Sequence, residues 1–348
     1  MSRSQVTSTV GQNTGGAVSP YVAGKNAVIN GGMDIWQRGT SFASTGGSYT
    51  ADRWWSAASG SGSTTFSRQS AGSTLPQIQY CIRSQRNIGS AELTSQQIGY
   101  TLETADSLRF AGQTITVSFY ARAGANYSAA SGVLYFLLSY GTGTDQRLLG
   151  AGFTGSTNIL FQGPVISTSW QRISYSIAIP STATEIGFYW QANVAGTALA
   201  ADYFDITGVQ LEVGSVATPF SRNAGTIQGE LAACQRYYAT SIPDGYTVST
   251  FPINAQGQSG CAFYNNTGND LWGNLMFPVR MRTAPTLTLY SQSNRTAGSL
   301  RDANTGSDVA MGTYAPTAGN GSNVTYITAT GLTTGRFYSG QWTASAEL

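Results

Sequence analysis

The sequence predicts an all-β protein: a jelly-roll β-sandwich, a short helix, then a second, smaller β-sandwich. Three observations carry this. Apolar and polar residues alternate over runs of strand length through most of the chain. Clusters of Gly, Ser and Thr separate those runs, as turns do. One stretch alone, 223–240, has helical spacing.

Residues 1–25 are polar, glycine-rich and aperiodic. They read either as an extended arm that orders against a partner or as a loose terminus. From 26 to 222 the pattern is β. QIQYCIRSQ sets Ile78, Tyr80 and Ile82 on one face, and QTITVSFYARA does so with Ile115, Val117 and Phe119. VLYFLLSYG is nearly continuous in apolar residues and predicts a strand buried on both faces. WQRISYSIAIP sets Trp170, Arg172, Ser174 and Ser176 against Gln171, Ile173, Tyr175, Ile177 and Ile179. EIGFYWQA and DYFDITGVQLEVG complete the set, and many short strands without a long helix argue for an antiparallel jelly roll.

NAGTIQGELAACQRYYAT, at 223–240, places Ile227, Leu231, Cys234 and Tyr238 on one helical stripe, with Thr226 as N-cap. The stripe packs on its own domain or on copies of itself about a symmetry axis. From 241 to 348 strands return. NLMFPVRMRTAPTLTLYS supplies two, and VTYITATG, RFYSG and QWTASAEL follow, the last alternating Trp342, Ala344, Ala346 and Leu348.

Composition limits the chemistry. A chain of 348 residues suggests two domains at about 100–200 residues each. Charged residues are only 10%, and all 18 basic residues but Lys25 are arginine. The arginines are scattered, which fits pairing between strands or subunits and not a nucleic-acid footprint. Histidine is absent, which removes Ser-His-Asp and Cys-His catalysis, histidine zinc sites and histidine proton shuttles. Cys81, Cys234 and Cys261 lack CxxC spacing and are odd in number, so they read as buried free thiols. Neither an apolar leader nor a membrane-spanning run is expected.

No catalytic constellation stands out, and the expectation is a non-enzyme. Asp202 and Asp205 form the densest acidic site, but on a strand a spacing of three sends them to opposite faces. The glycines fall in Ser/Thr turns and not between a strand and a helix, so phosphate-binding loops are excluded. Aromatic platforms for sugar are the stronger signal. Trp55, Tyr189, Trp190 and Trp272 are the candidate glycan contacts, with core packing as the competing role for each. The Trp54–Trp55 pair is expected to point one ring inward and one outward. For the acidic residues near the start, the plain expectation is that Asp52 pairs with an arginine and Asp34 caps a turn.

GKNAVINGGMDIWQRGTSF…YTADRWW resembles the opening of a module found in bacteriophage tail-fibre and other virion appendage proteins. DITGVQLEVGSVATPFSR resembles its closing strand, GELAACQRYY the segment that follows, and FPVRMRTAPTLTLY with the final AEL the small C-terminal domain. The motifs bracket Lys25 to Leu348, while 60–200 carries none.

The resemblance implies a carbohydrate-binding-module-like jelly roll at 26–222, a homotrimer and a virion location. The bracket is also similar to sandwich carbohydrate-binding modules that open with Asn-Gly-Gly-Phe-Glu. That likeness implies a structural calcium on Asp34 and Asp205, although Asp34 is one methylene shorter than the glutamate of that pattern. Met33, Ile35 and Trp54 or Trp55 would then be core, with Asp34, Asp52, Arg38 and Arg53 tying the first strands to the last.

The resulting expectation is a virion structural protein, part of a trimeric tail or head fibre or spike that binds host surface glycans. Residues 1–25 would dock on other virion proteins, helix 223–240 would sit at the trimer axis, and 241–348 would be distal. Nucleic acid and membrane insertion are not expected. A capsid or tail decoration (cement) protein without glycan recognition and a polysaccharide depolymerase are the alternatives.

Overall fold

The computed structural model describes residues 24–348 except 45, 59, 61, 94, 244–245, 254–259, 268, 313 and 320–322. The predicted arm therefore lies outside the described residues, apart from Gly24 and Lys25. The first unit contains β1 (Ser41–Ala43), β2 (Ser48–Tyr49), β3 (Trp54–Ala58), β4 (Thr64–Ser70), β5 (Tyr80–Arg86) and β6 (Ser95–Thr101). After a helical turn at Thr104–Ser107 come β7 (Thr114–Ala123), β8 (Tyr135–Gly141), β9 (Thr157–Phe161), β10 (Gln171–Ala178), β11 (Glu185–Asn193) and β12 (Tyr203–Val213).

These strands form two antiparallel six-stranded sheets, ordered β1-β4-β5-β12-β7-β10 and β2-β3-β6-β11-β8-β9. The chain passes back and forth between them, so each sheet mixes distant segments, as a jelly roll does. Inward-facing aromatics fill the space between. Phe119 of one sheet meets Trp190 of the other edge-on at 4.9 Å, and Trp54 lies 5.8 Å from Trp190. Ile115, Val117 and Phe119 are core, as their alternation predicts. VLYFLLSYG differs from expectation. Phe136 and Leu138 are buried while Tyr135 and Leu137 are half-buried, so only one face of β8 is fully covered.

The predicted helix is α1 (Ile227–Gln235), and Thr226 caps it by accepting from the Gly229 N–H at 3.1 Å. The buried side of its stripe packs within the chain: Leu231 and Cys234 join Ile29, Ile35 and Tyr237. Ile227 is left exposed. The helix stops before Tyr238, because Tyr238–Thr240 leaves as β13 and pairs with the last strand. The helical segment is therefore shorter than 223–240.

The second unit adds β14 (Cys261–Asn265), β15 (Asp270–Met276), β16 (Thr286–Ser291), β17 (Ser299–Asp302), β18 (Asp308–Ala310), β19 (Tyr314–Gly319), β20 (Asn323–Ala329) and β21 (Phe337–Ser345). β21 is its spine. Its first half pairs with β14 and β17, and its second half with β13 and β16. RFYSG and QWTASAEL, read as separate strands, are this one strand. Trp342, Ala344 and Ala346 are buried in the second core, as their alternation predicts.

The opening motif does two jobs. Asn26 ties it to the closing strand: its amide donates to the carbonyls of Val209 (3.0 Å) and Ser221 (2.9 Å), and its oxygen accepts from the Leu211 N–H (3.0 Å). Two of the charges reach the second unit instead. Arg38 pairs with Glu347 at 3.0 Å, and Arg53 pairs with the same carboxylate. Each guanidinium also lies over a tyrosine ring, Arg38 at 3.7 Å from Tyr238 and Arg53 at 3.5 Å from Tyr237. Asp52 holds Arg38 (3.4 Å) and accepts from the Gln37 N–H (3.1 Å). Burial pushes its carboxyl above the usual aspartate range, against the pull of Arg38. The expectation that all four charges fasten first strands to last is thus corrected: Asp34 alone does so, through Arg222.

Candidate functional site

The sequence-nominated residues separate by burial. Trp190 points inward and is fully buried among Phe119, Phe136 and Trp54, so it is core and not a glycan contact. Trp55 does point away from the Trp54 side, but it is buried too. Gly99 lies opposite it on β6, and a Cβ there would sit 2.0 Å from the indole. The missing side chain lets the ring lie down on the sheet, with Tyr189 packed 5.7 Å away. Trp55 is therefore also withdrawn from solvent. Tyr189 remains half-buried above it, beside the hydrogen-bonded amides of Gln97 and Gln191 (2.7 Å).

The implied calcium pair does not fit a cation. Both oxygens of buried Asp205 are taken by guanidinium groups. Arg83 donates through Nε at 2.8 Å and Nη2 at 3.0 Å, and Arg122 through Nε at 2.8 Å. Asp34 accepts from Arg222 Nε at 2.9 Å. A divalent ion bridging these carboxylates would have to displace three arginines. Among the described residues, no group of three His, Cys, Asp or Glu gathers as a metal site. Asp202 is likewise matched, to Arg86 at 2.9 Å and to the Ser128 hydroxyl at 2.7 Å. Asp202 and Asp205 are thus two separate structural ion pairs.

Trp272 behaves differently, and it is not alone. It is 52% exposed on β15. The register sets Phe337 of β21 opposite Tyr264 of β14, Tyr264 opposite Trp272, and Trp272 opposite Tyr326 of β20. Directly opposed residues share a sheet face, so four aromatic rings run in one row across four strands. At a strand spacing of about 4.8 Å the row spans about 14 Å. Tyr264 and Phe337 rings are 4.9 Å apart, and Trp272 meets Tyr326 edge-on at 5.0 Å. Phe337 is 57% exposed and Tyr264 37%, while Leu271, Phe263 and Leu275 on the reverse face are buried core. A bulge between Trp272 and Leu275 ends the regular pairing beside the indole.

Polar groups edge the row. Asp270 accepts from the Tyr326 hydroxyl and from Thr267 Oγ1 (2.6 Å). These two bonds hold its carboxyl below the usual aspartate range. Thr328 Oγ1 donates to the Tyr326 hydroxyl at 3.3 Å. Asn304 accepts from the Phe337 N–H at 3.3 Å. An exposed aromatic stripe rimmed by hydrogen-bonding groups is the surface expected of an interaction site, and its flat faces suit the apolar faces of pyranose rings.

Sequence reading found one member of the row. Tyr264 was within reach, since CAFYN and DLWGNLM are neighbours joined by a short turn. Phe337 and Tyr326 were not, because their places depend on pairings between distant segments.

No family model matches the chain, and no curated protein matches it. Among solved structures, the enzymatically active domain of bacteriophage CBA120 tailspike protein 4 is similar over 57% of this chain, at 14% identity and a TM-score of 0.37. This chain spans 22% of that tailspike chain. The CBM22-1 xylan-binding domain of Paenibacillus barcinonensis Xyn10C matches 56% of this chain and 98% of its own, at 11% identity and TM-score 0.32. The C-terminal family 22 carbohydrate-binding module of Clostridium thermocellum Xyn10B matches 52% and 99%, at 17% identity and TM-score 0.29.

Proposed function

We propose that this chain is a non-catalytic, glycan-binding structural protein of a bacteriophage virion, part of a trimeric tail or head fibre or spike. The observation that carries the glycan reading is the exposed row Phe337–Tyr264–Trp272–Tyr326. Its length suits several sugars of one chain lying across the strands. Its lack of basic side chains in the row suits a neutral glycan. The virion and trimer parts rest on the opening, closing and C-terminal motifs of the sequence. Three copies per appendage would give avidity through effective concentration, so each shallow row can bind weakly.

The test is a binding screen of the full chain against host surface polysaccharides, with Trp272→Ala and Tyr264→Ala alongside. Each substitution should weaken glycan binding roughly tenfold, as truncation of an aromatic anchor does. Wild-type binding in both variants would reject the row as the contact surface.

A further inference from the structure

A cavity lies on the first unit, lined by none of the residues of the aromatic row. β12 breaks register between Thr207 and Gln210, and Gly208 sits in the break with φ at 58°. A Cβ there would lie 2.6 Å from Ile78 Cδ1 and 2.8 Å from the Tyr120 ring. Glycine therefore lets loop 72–79 and Tyr120 close on the bulge.

Past β12 the chain doubles back as a strap, and buried side chains pin it. Gln210 donates to Thr218 Oγ1 (3.0 Å) and accepts from the Ser221 N–H (2.8 Å). Glu212 accepts from the Thr218 N–H (2.8 Å) and hydroxyl (2.6 Å). Strap and loop flank an open cavity of about 330 Å³ lined by Leu75, Tyr120, Pro219, Phe220 and Arg172.

Arg172 is the unusual member. Its Nη2 donates to the Thr218 carbonyl and to Ser118 Oγ (3.3 Å), which fixes the guanidinium plane. Of its five N–H groups, the Nη1 pair and Nε–H meet no acceptor among the described residues, and no carboxylate pairs with it there. On the same sheet Arg83 and Arg122 are both neutralised by Asp205. Its guanidinium carbon lies over the Tyr120 ring, 5.9 Å from the centroid; a fixed cation with no carboxylate partner, set beside apolar walls, selects an anion that carries a ring.

We infer that this cavity binds the carboxylate of an acidic pyranose, a uronic or sialic acid residue. The carboxylate takes the free Nη1 hydrogens of Arg172, and the sugar's apolar face lies against Leu75, Pro219 and Phe220. The site does not depend on the aromatic row of the second unit.

The experiment titrates the full chain with glucuronate, galacturonate, N-acetylneuraminate, glucose and acetate, each followed by NMR shifts and calorimetry. At least one acidic sugar should saturate and should bind about tenfold or more tighter than glucose or acetate, as a charge-assisted bond added to ring contact gives. Added salt should weaken that binding. Arg172→Gln should lower it about tenfold or more, with melting little changed because Arg172 is exposed and Gln210 and Glu212 still hold the strap. Trp272→Ala should leave it as in wild type, which separates this site from the glycan row. Acetate binding as tightly as the acidic sugars would reduce the site to an anion contact and overturn the proposal. So would equal binding of glucose, a salt-independent affinity, or full binding by Arg172→Gln.

Discussion

Trp54, Trp55 and Trp272 share a side chain and differ in what surrounds it. Trp54 is walled by Tyr100, Phe188 and Trp190 and spends its indole N–H on the Asn30 carbonyl (3.0 Å). Replacing it with alanine should cost about 3–5 kcal/mol, as for other large buried aromatics. Trp272→Ala should shift stability by no more than about 0.5 kcal/mol, as exposed substitutions do. Urea unfolding of the two variants checks both, and a silent Trp54→Ala would contradict the core assignment.

The sequence could mark these tryptophans as important but could not rank them by exposure. Trp55 shows why: alternation points it outward, and its burial depends on Gly99 and Tyr189 from two other strands. Asp205 carries the same lesson. Its place beside Arg83 and Arg122 is a matter of register, invisible to spacing along one strand. Because its oxygens are already satisfied, the melting temperature should be the same in EDTA and in added calcium. A fall in EDTA would restore a metal role.

At the scale of elements, local signals were legible and partners were not. Alternation found the strands, and Thr226 found the start of the helix. The helix's partner was left open between its own domain and a symmetry axis. Glu230 settles the inner side of that helix. Its buried carboxylate accepts from the N–H groups of Asn30 (2.7 Å) and Ala224 (2.8 Å), tying the helix to the opening motif. Burial raises its pKa above the ordinary 4.5, against the pull of those two bonds. A carboxyl with a raised folded-state pKa favours folding fully below the ordinary value and loses that contribution as pH rises through the raised one. The melting-temperature advantage of wild type over Glu230→Gln should therefore shrink as pH rises above 4.5 and level off below it. An advantage that grows over that interval would mean that the two backbone N–H bonds outweigh burial.

At the scale of the molecule, one buried carboxylate gathers two of the arginines that join the two units, beside the more exposed Arg282–Asp145 pair at 2.9 Å. Glu347 receives Arg38 and Arg53, and the Tyr49 hydroxyl donates to the Leu348 carbonyl at 3.3 Å. Arg53 is buried and also donates to the Thr101 carbonyl at 2.8 Å. No local pattern announces this contact, since nearly the whole chain separates its partners. Removing Glu347 leaves a buried guanidinium uncompensated, a change that costs about 3–5 kcal/mol when one partner of a buried pair is lost. That cost falls on the joint and not on either core: Trp54 and Trp342 stay packed in separate clusters. Calorimetry of Glu347→Ala should therefore resolve two transitions where wild type shows one. In the proposed fibre role such a joint would matter, because it would set where the aromatic row faces relative to the opening motif. If Glu347→Ala melts in one step at the wild-type temperature, the two cores are coupled by other contacts. The row's orientation would then be held by those contacts, the Arg282–Asp145 pair (2.9 Å) and the Gln37 amide on the Tyr238 carbonyl (2.7 Å) among them.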